Sequence, residues 1–222
     1  MALKRLLLIR PGETDWNLKG RWQGWVAAPL NEHGQRQVGR LATFIRHLGL
    51  ATLYSSDHKR AYQTAQILSN AIGFEPTFDK RLRERNIGHW QGLTVPEIHG
   101  WYEDEYQQLH ADPEHFVIPA GESLDQVRRR VINVLDEIVQ KADEVEGAES
   151  IGIVTHTTTI RVMVSALIPG IDLSNHNFGN SSVTTVRRTN DKSIWELVAT
   201  NDCSHLEGLE ARHMPEVQGD DE

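Results

Sequence analysis

Two arginines and a histidine stand close behind short apolar runs in this sequence. Arg10 follows Leu6-Leu7-Leu8-Ile9, Arg60 comes soon after the run 52–54, and His156 closes the run 151–155. Arginine is permanently charged and presents a planar fork of donors that matches phosphate oxygens. Arg60 falls in the first turn of the helix implied by Ala61, Ala65, Leu68 and Ile72, where unpaired backbone N–H groups also attract anions. Arg81, Arg83 and Arg85 add positive charge nearby in sequence. A single arginine is ordinarily a surface residue or half of an ion pair. Three such groups at strand ends favour an anion site.

The apolar pattern supplies the elements that must position them. Residues 3–9, 52–54 and 151–155 read as short buried strands, and 183–187 with 194–200 as a terminal strand pair around Asn190-Asp191. Helical spacing follows Asn31 (Val38, Leu41, Ala42, Ile45), then Ser55-Ser56-Asp57 as cap candidates, then Leu124 to about Asp143, and finally Ile160, Val164 and Leu167. Residues 12–30 have no helical period and read as one long, functional connection. Residues 90–121 read as an excursion or lid with two short helices. Alternating strands and helices predict a three-layer α/β/α fold, with a mostly parallel central sheet and helices on both faces. Ligands of such folds bind beyond the carboxyl ends of the strands, where Arg10, Arg60 and His156 fall. One domain is expected over 1–200, with an acidic, flexible tail over 201–222.

The charge pattern agrees. The 222 residues carry a net charge of −8, but 201–222 hold seven carboxylates against the single Arg212, a net of −6 that leaves −2 for the first 200 residues. Overall acidity opposes nucleic-acid and membrane-surface partners without opposing a local phosphate site. Cys203 is the sole cysteine, so neither an intrachain disulfide nor a cysteine zinc site is expected. The apolar run at the N-terminus is too short for a signal-peptide core, and a cytoplasmic location is expected. The 11 histidines, among them His89, His99, His110 and His115, form no metal pattern; no metal or cofactor is expected. Trp16, Trp22, Trp25, Trp90 and Trp101 fall in the long connection or the lid, where they either line a pocket for an organic group or anchor loops.

The motifs resemble those of the histidine phosphatase (phosphoglycerate mutase-like) superfamily. Leu8-Ile9-Arg10-Pro11-Gly12-Glu13-Thr14 is similar to its opening signature, continued by Asp15-Trp16-Asn17, Gly20–Gly24 and Pro29-Leu30. Ser55-Ser56-Asp57 with Arg60-Ala61 and Gln63-Thr64-Ala65 resembles its second block, and Leu82-Arg83-Glu84 with Gly88 and Trp90-Gln91-Gly92 its third. Gly121-Glu122-Ser123, Thr155-His156 with Ile160-Arg161, and Asn180-Ser181-Ser182-Val183 complete the set in order. The resemblance implies phosphate-binding roles for Arg10, Asn17, Arg60, His156 and Thr157, and a general-acid role for Glu84.

It also carries a departure. The family has its nucleophilic histidine where this chain has Pro11. A proline in a peptide bond offers neither a side-chain lone pair nor an N–H, so it cannot attack phosphorus. Because a pre-proline residue prefers extended backbone, Arg10 keeps its place at the strand end. In another enzyme class, removing the nucleophilic machinery leaves about 10³–10⁴ over water. Enzymes of phosphate-monoester hydrolysis supply up to about 10²¹. The expected function is therefore binding of a small phosphorylated molecule or other anion, with lost or altered phosphatase activity. Two alternatives stand: a phosphomonoester hydrolase that uses the pocket without a covalent histidine, and a pseudoenzyme acting through protein partners. A second departure is Thr157-Thr158-Thr159, where the family often carries glycine.

Overall fold

The computed structural model describes residues 3–189 and 194–210. In chain order the elements are β1 (Arg5–Ile9), α1 (Asp15–Leu18), α2 (Glu32–Ile45), β2 (Thr52–Ser55), α3 (Lys59–Ile72), β3 (Thr77–Phe78), α4 (Val95–Trp101), α5 (Glu103–Ala111), α6 (Leu124–Glu144), β4 (Ser150–Val154), α7 (Thr157–Leu167), β5 (Val183–Arg188) and β6 (Trp195–Asp202). They form one mixed sheet in the order β3-β2-β4-β1-β5-β6. β1, β2, β3 and β4 run parallel, while β5 is antiparallel to both β1 and β6.

Strand alternation builds the two helical layers. Leu6 and Leu8 of β1 face a cluster containing Val131 and Leu135 of α6 and Ile160 and Met163 of α7. Leu7 and Ile9 face the opposite way, onto Val38 and Leu41 of α2 and Ala65 and Leu68 of α3. Each leucine so buried contributes about 1.5–3 kcal/mol. Both layers are thus encoded in one apolar run whose neighbours point to opposite sides of the sheet.

β1, β4 and β2 end together: Ile9 pairs with Val154, which also pairs with Ser55. The next residues, Arg10, Thr155 and Ser56, therefore emerge side by side at the carboxyl end of the sheet. The chain leaving β1 is pinned against α2 by two glycines. A Cβ on Gly34 would lie 2.1 Å from the Glu13 carbonyl oxygen, and one on Gly12 would lie 2.6 Å from the Gly34 carbonyl oxygen.

The lid over 90–121 has a small core of its own. Trp90 is fully buried with Ile98 and Ile118, and Trp22 of the long connection packs on it at 6.2 Å between ring centroids. Three expectations need correction. Residues 12–30 include a helical turn, α1, held by a capping box between Thr14 and Asn17. α3 is capped by none of Ser55, Ser56 and Asp57; its N-cap is His58, without a side-chain cap hydrogen bond. The chain from 201 to 210 is packed rather than loose: β6 runs to Asp202, Leu206 is fully buried, and His205 stacks on Phe44 at 5.1 Å. Gln37 Nε2 donates to the Leu209 carbonyl at 3.0 Å, which ties the segment to α2. Asn190-Asp191 and the remaining tail, 211–222, lie outside the described residues. Among the described residues no helix is long and apolar enough to cross a membrane.

Candidate anion-binding site

Arg10 leaves β1 with its backbone N–H donating to the Ser182 carbonyl at 3.1 Å, and its guanidinium donates to the Phe178 carbonyl. Pro11 is buried, and its carbonyl accepts from the Ser181 N–H at 3.0 Å and from Asn180 Nδ2 at 3.2 Å. The proline is therefore an integral part of the loop, with its one backbone acceptor satisfied. Gly12 N–H donates to Thr64 Oγ1 at 3.3 Å, joining the loop to α3. Asn180 Nδ2 also reaches Asn17 Oδ1 at 3.3 Å, which brings Asn17 of α1 into the same network. The Asn17 oxygen further accepts from Thr14 N–H at 3.0 Å, as part of the capping box.

Arg60, in the first turn of α3, is only 5% exposed. Its guanidinium donates to the Gly24 carbonyl at 3.0 Å and the Val26 carbonyl at 3.2 Å, so the long connection wraps over it. Burial, opposed by the charge of Glu84 and reinforced by that of Arg10, pulls its pKa down to about 10. A further oxyanion beside such a desolvated cation would favour its charged form.

His156 is the N-cap of α7, is 3% exposed, and makes no side-chain cap bond. Its Nε2 instead meets Ser56 Oγ at 2.9 Å, across the ends of β4 and β2. Burial, with the charges of Arg60, His58 and Arg10, holds this imidazole well below its usual range. Thr157 follows it, half-buried, as the first residue of α7. Glu84 docks on the same helix start: its Oε2 accepts from the Thr158 N–H at 3.2 Å and its Oε1 from the Arg85 N–H at 2.8 Å. Arg130 of α6 fixes that segment by donating to the carbonyls of Arg81, Arg83 and Glu84 at 2.9, 2.7 and 2.8 Å, and by pairing with Glu122 at 2.9 Å.

Arg10, Arg60, Glu84 and His156 thus share one electrostatic neighbourhood, with Pro11 and Asn17 in the adjoining loop and Thr157 next to His156. The neighbouring arginines contribute unequally. Arg81 is engaged by Asp79 and Glu137, and Arg85 donates to the carbonyls of Glu122 and Phe116. Arg83 pairs with Asp57 at 2.6 Å and covers the Trp25 ring at 4.8 Å. The other tryptophans divide similarly: Trp22 and Trp90 anchor the lid, Trp101 is 68% exposed, and Trp25 reaches the site.

The sequence draws attention to the segment Ser55–Arg60 behind a strand but assigns no site role to two residues within it. Ser56 is fully buried and bonds His156. His58 is 6% exposed, with its ring centroid 5.3 Å from that of His156 and 6.0 Å from Trp25. A lone histidine between motif residues carries no distinguishing pattern; its burial at a helix start is what singles it out.

Comparison with known proteins agrees with this architecture. The model of the histidine phosphatase superfamily (branch 1) matches residues 6–203. The chain is 31% identical to phosphoserine phosphatase 1 of Hydrogenobacter thermophilus, over 91% of this chain and 94% of that protein. It is 34% identical to phosphoglycerate mutase-like protein 4 of Arabidopsis thaliana, over 91% of this chain and 86% of that one. Among solved structures, a mycobacterial glucosyl-3-phosphoglycerate phosphatase complexed with VO3 superposes with a TM-score of 0.77 at 30% identity, covering 89% of this chain and 99% of that one. With its three-layer fold and a match over nearly all its described length, the chain belongs to the histidine phosphatase superfamily, branch 1.

Proposed function

We propose that this protein binds small phosphomonoesters through Arg10, Arg60, His156, Asn17 and Thr157, and does so without phosphohistidine turnover. The observation that carries the reading is Pro11, where the family resemblance places the nucleophile: it is buried, between Arg10 and Gly12, with its carbonyl doubly hydrogen-bonded. It supplies no atom able to attack phosphorus. Arg10 is retained beside it and Arg60 is retained and desolvated, which supports continued use of the pocket for an anion. The names of the relatives, a phosphoserine phosphatase and a glucosyl-3-phosphoglycerate phosphatase, support phosphomonoesters as the ligand class.

The general-acid role that the family resemblance implies for Glu84 would come into play only if phosphorus were attacked by another group. In the ligand-binding reading Glu84 is a wall of the site, tied to the first turn of α7 through the Thr158 N–H and to its own segment through the Arg85 N–H. The test is turnover of a phosphomonoester panel by the protein, by Arg10→Ala and by Pro11→His. The reading predicts no enzymatic turnover by the protein and a gain with Pro11→His. Turnover by the unaltered protein that disappears in Arg10→Ala overturns it in favour of hydrolysis without a covalent histidine.

A further inference from the structure

His58 is hard to explain as a core residue. It is 6% exposed, and neither ring nitrogen has a hydrogen-bond partner. Burying an imidazole unsatisfied is unfavourable by a few kcal/mol or less, and an apolar side chain of similar size would avoid that penalty. It also occupies the N-cap of the 14-residue helix α3, where Ser, Thr, Asp or Asn would bond the first-turn amides, yet it makes no cap bond. α2 and α6, by contrast, are capped by the side chains of Asn31 and Ser123. The start of α3 thus combines uncapped amides, buried Arg60 two residues on, and an unsatisfied imidazole packed against His156.

Resting on the phosphate-pocket reading above, we propose that His58 is a further ligand of the bound anion, taking up one proton as the anion enters. The proton comes from solvent onto the ring nitrogen that lacks one, and a ring N–H then donates to a phosphoryl or sulfate oxygen. A neutral imidazole has one donor and one acceptor, and the acceptor repels an oxyanion; a protonated ring donates from both nitrogens.

The surroundings explain why the proton waits for the anion. Facing the ring are Arg60 from its own helix, Arg83 and Asp57 from the flanking loops, Arg130 from α6, His156 from the start of α7, and Trp25 from the long connection. Three guanidiniums against one carboxylate, itself bonded to Arg83, oppose a further positive charge. With burial acting first and Arg60 next, the His58 imidazole is pushed down to about 3 in the anion-free protein. A tetrahedral dianion beside Arg60 offsets that excess positive charge and favours the protonated ring. A nucleophilic role is less consistent with the geometry, because attack through one ring nitrogen needs a partner on the other to hold the ring, and His58 has none.

Sulfate is the probe, since it stays a dianion throughout the relevant pH range. Its affinity is measured by calorimetry between about pH 6 and 8 for the protein, His58→Gln and Arg60→Met. The unaltered protein should bind about tenfold more tightly per unit fall in pH wherever one proton is taken up. His58→Gln should bind more weakly with a flattened slope. An unchanged slope in His58→Gln places the proton elsewhere and overturns the inference alone. Absence of sulfate binding by the protein, or equal binding by Arg60→Met, overturns the pocket reading and this inference with it. If His58→Gln fails to fold or to bind, the His58 ring ¹⁵N resonances of the unaltered protein decide. A move from the neutral to the protonated pattern on saturation with sulfate supports the role, and no change overturns it.

Discussion

Replacing Arg60 with methionine keeps the buried stem and removes the guanidinium, and it separates a residue held for function from one held for stability. The fall of the Arg60 pKa from 12.5 to about 10 corresponds to about 3 kcal/mol of unfavourable burial of charge. Against this stand hydrogen bonds to the Gly24 and Val26 carbonyls, each worth about 1.5–3 kcal/mol because the donor is charged. The two bonds together contribute about 3–6 kcal/mol, so the balance favours the arginine by about 0–3 kcal/mol. In anion-free buffer Arg60→Met should lower unfolding free energy by no more than about 3 kcal/mol, at about 2–4 °C in Tm per kcal/mol for a chain of this size. Phosphate at about 100 times its Kd should stabilise the unaltered protein by about 2.7 kcal/mol, and Arg60→Met not at all. Thermal melts with and without phosphate read both quantities. A loss above about 3 kcal/mol without phosphate, or a phosphate-dependent rise surviving in Arg60→Met, refutes the reasoning.

Further expectations follow from neighbouring features. Gly34→Ala should destabilise by about 1–3 kcal/mol through overpacking, since its Cβ would meet the Glu13 carbonyl at 2.1 Å, whereas Gly39→Ala in open space on the same helix should stabilise by about 0.5–1 kcal/mol; urea denaturation of the two variants reads the opposite signs. Arg130→Met should lower stability by about 2–4 kcal/mol by freeing three carbonyls and Glu122, and raised hydrogen exchange over 81–85 is the accompanying signature. Because the folded-state pKa of His58 lies at about 3, below its unfolded value, the unfolded chain takes up that proton first as pH falls. Stability in anion-free buffer is therefore intact above about pH 6.5 and is lost progressively towards about 3, with a slope of up to about 1.4 kcal/mol per pH unit from this group. Urea midpoints at about pH 7 and about pH 5, compared with His58→Leu, test it; an equal drop in both proteins contradicts the assignment.

Much of the architecture was legible because it rests on periodicity. β1 and β4 are continuous apolar runs buried on both faces, and α2, α3, α6 and α7 carry apolar stripes of helical spacing. The elements that were missed are too short to have a period: the two residues of β3 and the single turn of α1 are defined by pairing and by a capping box. The composition of the segment 203–210, polar and acidic, is that of a tail. What holds it is one buried leucine, the ring of His205 on Phe44, and the carbonyls of Leu209 and Glu210 accepting from Gln37 and His33. Such anchors leave no trace in hydropathy. At the site, Arg10, Arg60 and His156 were legible from their position after strands. Ser56 and His58 were not, since a buried serine or histidine looks in sequence like any other.

The most direct test of the account follows phosphorus itself. The protein is mixed with a phosphomonoester labelled in its phosphoryl group, quenched under alkaline denaturing conditions that preserve phosphohistidine, and counted for covalent label. The account predicts no label in the unaltered protein, although phosphate stabilises it, and up to about one label per chain in Pro11→His, the site supplying a single nucleophile. Covalent label on the unaltered protein, at His58, His156 or any other residue, would contradict it.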